Sequence, residues 1–342
     1  MKNKKALCQS FWKLARNYLH SYMPDVLNRS PKSIEAYKNA LYIYLNFLKE
    51  KYNVENEQIT FDYFKVENLT AFIAWMKQEK VYKPKTINLR MTAIRSFLKY
   101  CALQDLELKD LSYCANSIPD VKVPKRPIEF LTEDAIKAIL SATSYDKPIH
   151  RRNRMLIILM YDTGARVSEL SGAMLSSLHL KAKNPYIVLH GKGDKTRNVP
   201  LMEKTMLHLA EYLKEFHDDR SDAPLFYCRH DGIKHNLSND SIETILKNVA
   251  AKARETCNEV PERVYCHLIR KTRAMDLYKQ KISLPIIAQL LGHESISTTS
   301  GFYAFATLDM MADAMKTANE HAALPEKEWK NAEIMNLLYT LD

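Results

Sequence analysis

The chain has 342 residues, 46% of them hydrophobic and 26% charged, with a formal net charge of +10 at pH 7. That length suits about two domains. The composition excludes a disordered or fibrous chain, and the excess of cations favours a polyanionic partner, of which nucleic acid is the commonest. The basic start, Met1-Lys2-Asn3-Lys4-Lys5, lacks the apolar core of a signal peptide. The longest apolar run, Met155 to Tyr161, is far shorter than the roughly 20 residues a membrane span needs. A cytoplasmic protein with no membrane partner is expected. The cysteines at 8, 101, 114, 228, 257 and 266 have no zinc-ligand spacing, so no metal is expected and free thiols are the default.

All seven glycines fall after residue 163. A glycine-free N-terminal part needs few positive-φ turns and suits helices. Two helix starts resemble each other, Ser30-Pro31-Lys32-Ser33-Ile34 and Lys83-Pro84-Lys85-Thr86-Ile87, each with proline where its fixed φ and missing N–H do no harm. The first opens the series Tyr37, Leu41, Tyr44, Leu45 and Leu48, and the second Ile87, Met91, Ile94, Leu98 and Cys101, both at helical spacing. Residues 69–76 read as a further helix between them, in a bundle of four or five. Opposite the second apolar stripe, Lys85, Asn88, Thr92, Arg95 and Lys99 share a face that suits DNA or plain solvent. Three prolines and the cations Lys122, Lys125 and Arg126 then mark residues 118–128 as a basic linker, ending just before a helix start with Thr132 as N-cap.

In the second part, a buried helix from Arg154 to Tyr161 leads into Asp162-Thr163-Gly164-Ala165-Arg166-Val167-Ser168-Glu169-Leu170. The period then changes. Tyr186 to His190 reads as a strand, Gly191-Lys192-Gly193-Asp194-Lys195 as a turn and Arg197 to Leu201 as the returning strand. From Glu203 the pattern is helical again, with loops near Pro224 and Gly232. The expected fold class is mainly α with one small antiparallel β-sheet.

Four blocks accumulate here in order: Thr163 to Leu170, Gly191 to Lys195, His267-Leu268-Ile269-Arg270, and Leu290-Leu291-Gly292-His293 followed by Thr298-Thr299 and Tyr303. Together they resemble the tyrosine recombinase family of phage integrase type. The resemblance implies an N-terminal helical core-binding (SAM-like) domain over residues 1–117, the linker 118–128, a catalytic domain over 129–320 and a tail, 321–342. The tail either docks on a neighbouring protomer or folds back on its own domain. The implied substrate is double-stranded DNA carrying specific recombination sites, bound by a homotetramer with or without accessory DNA-bending or directionality proteins.

The chemistry accounts for the residue types. Attack on a phosphodiester builds charge on its nonbridging oxygens, and arginine supplies permanently charged donors with fork geometry. Arg166 and Arg270 fit that need, and His267 lies one helical turn from Arg270, on the same face. The resemblance makes Tyr303 the nucleophile, His267 its proton acceptor, Lys192 at the hairpin tip the general acid with Lys195 as second candidate, His293 a further phosphate donor and Glu169 a supporting residue. A phosphotyrosyl link stores the energy of the broken bond, so neither ATP nor any other cofactor is required. Tyr303 lies one position farther from His293 than in many relatives, but the alternative, Phe302, has no hydroxyl. Lys271 stands where relatives often carry histidine. A phosphate loop is excluded at Gly191-Lys192-Gly193, because Tyr186 stands where its first glycine belongs and no Ser or Thr follows the lysine. DNA relaxation of the type IB topoisomerase kind and a catalytically silent DNA-binding regulator are the rival readings.

Overall fold

A computed structural model describes residues 4–124, 129–143, 146–191, 195–217, 223–292, 315 and 336. The chain divides into two compact units, residues 1–126 and 127–342, each with its own hydrophobic core.

The first unit has five α-helices among its described residues: α1 (Lys4–Asn17), α2 (Pro31–Tyr52), α3 (Val66–Gln78), α4 (Pro84–Gln104) and α5 (Lys109–Ser117). Periodicity predicts α2, α3 and α4, and α1 and α5 complete the unit. Proline opens both α2 and α4, and the Ser30 hydroxyl caps α2 by accepting from the Ser33 N–H. The predicted stripe of α4 is buried: Ile87, Met91, Ile94, Leu98 and Cys101. Its neighbour Phe97 packs edge-on to Phe11 of α1, with ring centroids 5.8 Å apart, and lies 6.2 Å from Phe64. Tyr44 and Phe47 of α2 extend the same aromatic cluster to Phe72 and Trp75 of α3. Rings of this size bury much apolar area with few rotatable bonds, which lets a glycine-free bundle hold together without a sheet.

The structure corrects the expected free face of α4. Asn88 gives its amide to the chain leaving α5: Nδ2 donates to the Val121 carbonyl and Oδ1 accepts from the Val121 N–H, both at 2.9 Å. Arg95 donates from Nε to the Ala115 carbonyl (3.1 Å), from Nη2 to the Ile118 carbonyl (2.6 Å) and from Nη1 to Asp120 (2.7 Å). Both side chains are therefore occupied within the unit. The physical reason is that residues 115–121 turn back across α4, where their backbone groups need partners. Ile118, Asp120 and Val121, in the expected linker, are thereby held to α4. Lys85, Thr92, Lys99 and Lys122 remain exposed, while Lys125 and Arg126 lie outside the described residues.

The second unit runs α6 (Glu133–Ser141), α7 (Pro148–Thr163), α8 (Val167–Ser171), β1 (Leu178–His179), β2 (Tyr186–His190), β3 (Thr196–Pro200), α9 (Glu203–Phe216), β4 (Tyr227–His230), β5 (Ile233–Asn236), α10 (Asn239–Arg254), α11 (Cys266–Lys279) and α12 (Leu284–Leu291). Thr132 caps α6, its hydroxyl accepting from the Ala135 N–H. Met155, Leu156, Ile157, Leu159 and Met160 bury α7 in a core shared with α6, β2, α9, α10 and α11. The three-stranded sheet has the order β1-β2-β3, antiparallel throughout, with Ile187 opposite Val199 and Leu189 opposite Arg197.

A second sheet corrects the expectation of one. β4 and β5 form an antiparallel hairpin where a loop is expected near Gly232. Its turn carries Asp231 at φ 49° and Gly232 at φ 77°, the paired positive φ values that an Asp-Gly hairpin turn requires. Gly164 closes α7 in the left-handed region at φ 57°, and a Cβ there would lie 2.6 Å from Leu291 Cδ2. The chain thereby reverses in one residue and brings Arg166 back beside the end of α12.

Two stability outcomes are expected. Gly164→Ala should cost about 1–3 kcal/mol in urea denaturation, combining a left-handed backbone with a side-chain clash. Asn88→Ala should cost roughly 1–2 kcal/mol by leaving the Val121 backbone groups without partners, whereas Lys85→Ala, on the exposed face, should stay within about 0.5 kcal/mol of the parent.

Candidate active site

The local sequence builds the site around Glu169. Arg166 is the extended N-cap of α8, and Glu169, three residues on, reaches back to accept from the Arg166 N–H at 2.7 Å, the reciprocal half of a capping box. The same carboxylate accepts from Arg166 Nη1 at 2.9 Å and from Arg197 Nη1 and Nη2 at 2.6 and 2.7 Å. Its side chain is wholly buried, whereas that of Arg166 is 37% exposed. Burial by itself would raise the Glu169 carboxyl, but the hydrogen bonds and charge of Arg197, then of Arg166, override it and hold the group below the usual carboxylate range. Glu169 is therefore an anion buried between two guanidinium groups.

Arg270 comes from the buried face of α11 and is 2% exposed. Its Nη1 donates to the Gly164 carbonyl at 2.7 Å, and its Nη2 donates to the Leu291 carbonyl. Arg166 Nη2 donates to the next carbonyl, Gly292, at 2.9 Å. Arg197 Nε donates to the preceding one, Leu290, at 2.9 Å. Three arginines thus take three successive carbonyls at the C-terminal end of α12, groups a helix leaves without internal partners and where its dipole is negative.

The charge does not balance. Among the described residues, three guanidinium groups face one carboxylate, and burial, with Arg166 and Arg197 adding to it, pushes Arg270 down to about 9. An anion with several acceptor oxygens, such as a phosphodiester, would offset that surplus. His267, one turn before Arg270, is exposed. Partial desolvation and then the cations Lys271, Arg270 and Arg166 hold its pKa below the ordinary value of 6.5. At pH 7 the ring is neutral and able to accept a proton.

The sequence-derived set is thus brought together in part. Arg166, Glu169, Arg270 and His267 converge; Lys192, His293 and Tyr303 lie outside the described residues. Gly191, which follows β2, lies beside Glu169. The Gly191 N–H donates to the Lys195 carbonyl at 2.7 Å, and a Cβ on Gly191 would come within 3.3 Å of Glu169 Oε1. Lys195 is exposed at the hairpin's return. Lys271 turns to the Tyr265 hydroxyl, with its Nζ 3.3 Å away. Among the described residues, no group of three or more His, Cys, Asp or Glu could hold a metal ion, and no helix is long and apolar enough to cross a membrane.

Sequence reasoning missed Arg197. Its signal was the alternation of β3: Arg197 shares the inward face with the buried Val199, while Thr196, Asn198 and Pro200 point outward. A cation in a core-facing register implies a buried anionic partner, and Glu169 is that partner.

Comparison with known proteins adds independent findings. The pattern described as "Phage integrase family" matches residues 129–308, and that described as "Phage integrase, N-terminal SAM-like domain" matches residues 18–105. The chain is 29% identical over 282 residues to the tyrosine recombinase XerA of Pyrococcus furiosus, covering 82% of this chain and 88% of that protein. Two solved structures share the fold at 19% identity. One is the XerH site-specific recombinase bound to difH substrate before cleavage, with a TM-score of 0.66 over 91% of this chain and 96% of that one. The other is the Tn1549 transposon integrase with transposon right-end DNA, with a TM-score of 0.65 over 91% and 98%.

The electrostatics of the cluster can be read from His267 alone. In an NMR titration its imidazole should take up its proton below pH 6.5, and inorganic phosphate should move that midpoint upward, because an anion in the cluster offsets the cations that disfavour protonation. An unshifted midpoint in both conditions would show that the ring does not sense Arg166 and Arg270.

Proposed function

Because this chain belongs to the phage integrase family and is a tyrosine-type site-specific recombinase acting on DNA, we propose that it exchanges strands between two duplex sites through 3′-phosphotyrosyl and Holliday-junction intermediates, in the integration and excision of a mobile element. The observation that carries this reading is the joint seat of Arg166 and Arg270 on neighbouring carbonyls of α12, with a surplus of positive charge and a neutral His267 beside them.

In the proposed reaction the Tyr303 oxygen attacks phosphorus while His267 accepts its proton. Phosphorus passes from the 5′ oxygen to the tyrosine oxygen, and Lys192 protonates the departing 5′ oxygen. Arg166, Arg270 and His293 donate to the nonbridging oxygens, whose charge grows in the transition state. One phosphoester replaces another, so the bond energy is kept and the freed 5′ hydroxyl of a partner strand can reverse the step at a new phosphorus. Two such rounds require four active sites, hence a homotetramer on two duplexes, with the tail, residues 321–342, as the segment that joins protomers. Lys85, Thr92, Lys99, Lys122, Lys125 and Arg126 supply contacts along the DNA, and as phosphate contacts they make binding weaken with salt. Accessory DNA-bending or directionality proteins would select between integration and excision.

Covalent trapping tests the reading. Nicked suicide duplexes made from the ends of the genetic element that encodes the protein should yield a denaturation-resistant protein–DNA adduct with the wild type and none with Tyr303→Phe. Sequence-specific binding without an adduct would identify a silent DNA-binding regulator. An adduct that survives in Tyr303→Phe would assign the nucleophile to another residue.

A further inference from the structure

We propose that Arg197 is a positioning residue of the strand-transfer site: it holds Glu169 and the end of α12 in place so that Arg166 keeps donors free for the scissile phosphate. The proposal deepens the reading above and rests on Arg166 acting at that phosphate.

Four contacts carry it. Arg197 grips both oxygens of Glu169, at 2.6 and 2.7 Å, in the two-pronged geometry specific to a guanidinium and a carboxylate. It donates its remaining Nε–H direction to the Leu290 carbonyl at 2.9 Å. Its side chain packs against Gly292, where an added Cβ would lie 3.0 Å from Arg197 Cδ. Arg197 stands on β3, so these contacts tie the base of the hairpin that carries Lys192 to the helix end that leads into His293.

The geometry also separates the roles of the two arginines on Glu169. Arg197 is 10% exposed and its Nε, Nη1 and Nη2 all have protein partners. Arg166 is 37% exposed; its side chain shares Glu169 through Nη1 alone and gives Nη2 to the Gly292 carbonyl, and its Nε has no protein partner among the described residues. Arg197 therefore neutralises the carboxylate, and Arg166 is left as the reachable cation. Without Arg197, the buried carboxylate would have Arg166 as its one cationic neighbour within hydrogen-bond reach among the described residues. The strongest pairing would then be a fork on Arg166, turning its free donors away from the phosphate. A core carboxylate stripped of one partner is costly enough to drive such a rearrangement.

Single-turnover trapping on a nicked suicide duplex reads this directly, since the rate constant reports positioning and the amplitude reports the fraction of protein that is folded and competent. Arg197→Met should bind the duplex within a factor of about three of the wild type, because phosphate contacts elsewhere supply most of the affinity. Its rate constant at saturating DNA should fall about 100-fold, the scale set by misplacing a catalytic group by an ångström. Arg197→Lys keeps the charge but cannot span both carboxylate oxygens and the Leu290 carbonyl together. It should fold as the parent does and lose about 10-fold in rate constant at full amplitude, which carries the test should Arg197→Met fail to fold. A lowered amplitude with an unchanged rate constant in Arg197→Lys would reduce Arg197 to a folding contact and overturn the proposal, as would wild-type rate constants in both variants. Absence of any adduct with the wild type would overturn the proposal together with the reading it rests on, so the two failures are distinguishable.

Discussion

A buried carboxylate held between two arginines is the interaction on which the site depends. Glu169 could not be charged in that position without Arg166 and Arg197, and the two arginines could not lie so near each other without Glu169. The local helix start explains why this anion is available, because a glutamate at the third position of α8 reaches back to the N–H of its N-cap, Arg166. Tertiary packing then gives it a second cation from a strand 28 residues away in sequence.

From that pair the geometry spreads to the helix end. The last carbonyls of α12 have no partners within the helix, and Arg197, Arg270 and Arg166 take them in order. A helix terminus is a weak and diffuse counter-charge compared with a phosphate, so it orients the guanidinium groups without satisfying them. The surplus charge of the cluster, which adds to burial in lowering the pKa of both Arg270 and His267, is what a DNA phosphodiester is suited to offset. Burial first, and then the neighbouring cations, hold His267 below its ordinary value and so favour the neutral ring that a proton acceptor needs.

The N-terminal unit shows how a helix face can mislead. Five polar residues at helical spacing on α4 look alike in sequence, yet two of them hold down the chain that follows α5. A polar side chain on such a stripe is read as outward because its partners are distant in sequence. Asn88 finds Val121 and Arg95 finds Ile118 only after the chain has turned back. The second hairpin differs, since its Asp231-Gly232 turn is of the type that joins paired strands and is legible in the sequence itself.

The sequence by itself determined the helices opened by Pro31 and Pro84, the Tyr186 to His190 strand with its return, and the grouping of Arg166, Glu169, His267 and Arg270. The helices and the strand follow from short-range rules of periodicity, capping and turn residues, and the grouping of the four site residues from the resemblance to the tyrosine recombinase family. Only the tertiary structure decided that Arg197 completes the cluster, that Asn88 and Arg95 face inward, and that the end of α12 is gripped by three arginines. Each of those is a hydrogen bond between groups far apart in the chain, and such a bond forms only when packing has removed water from both partners. Sequence spacing carries no record of that burial except where, as at Arg197, a charge interrupts an alternating strand.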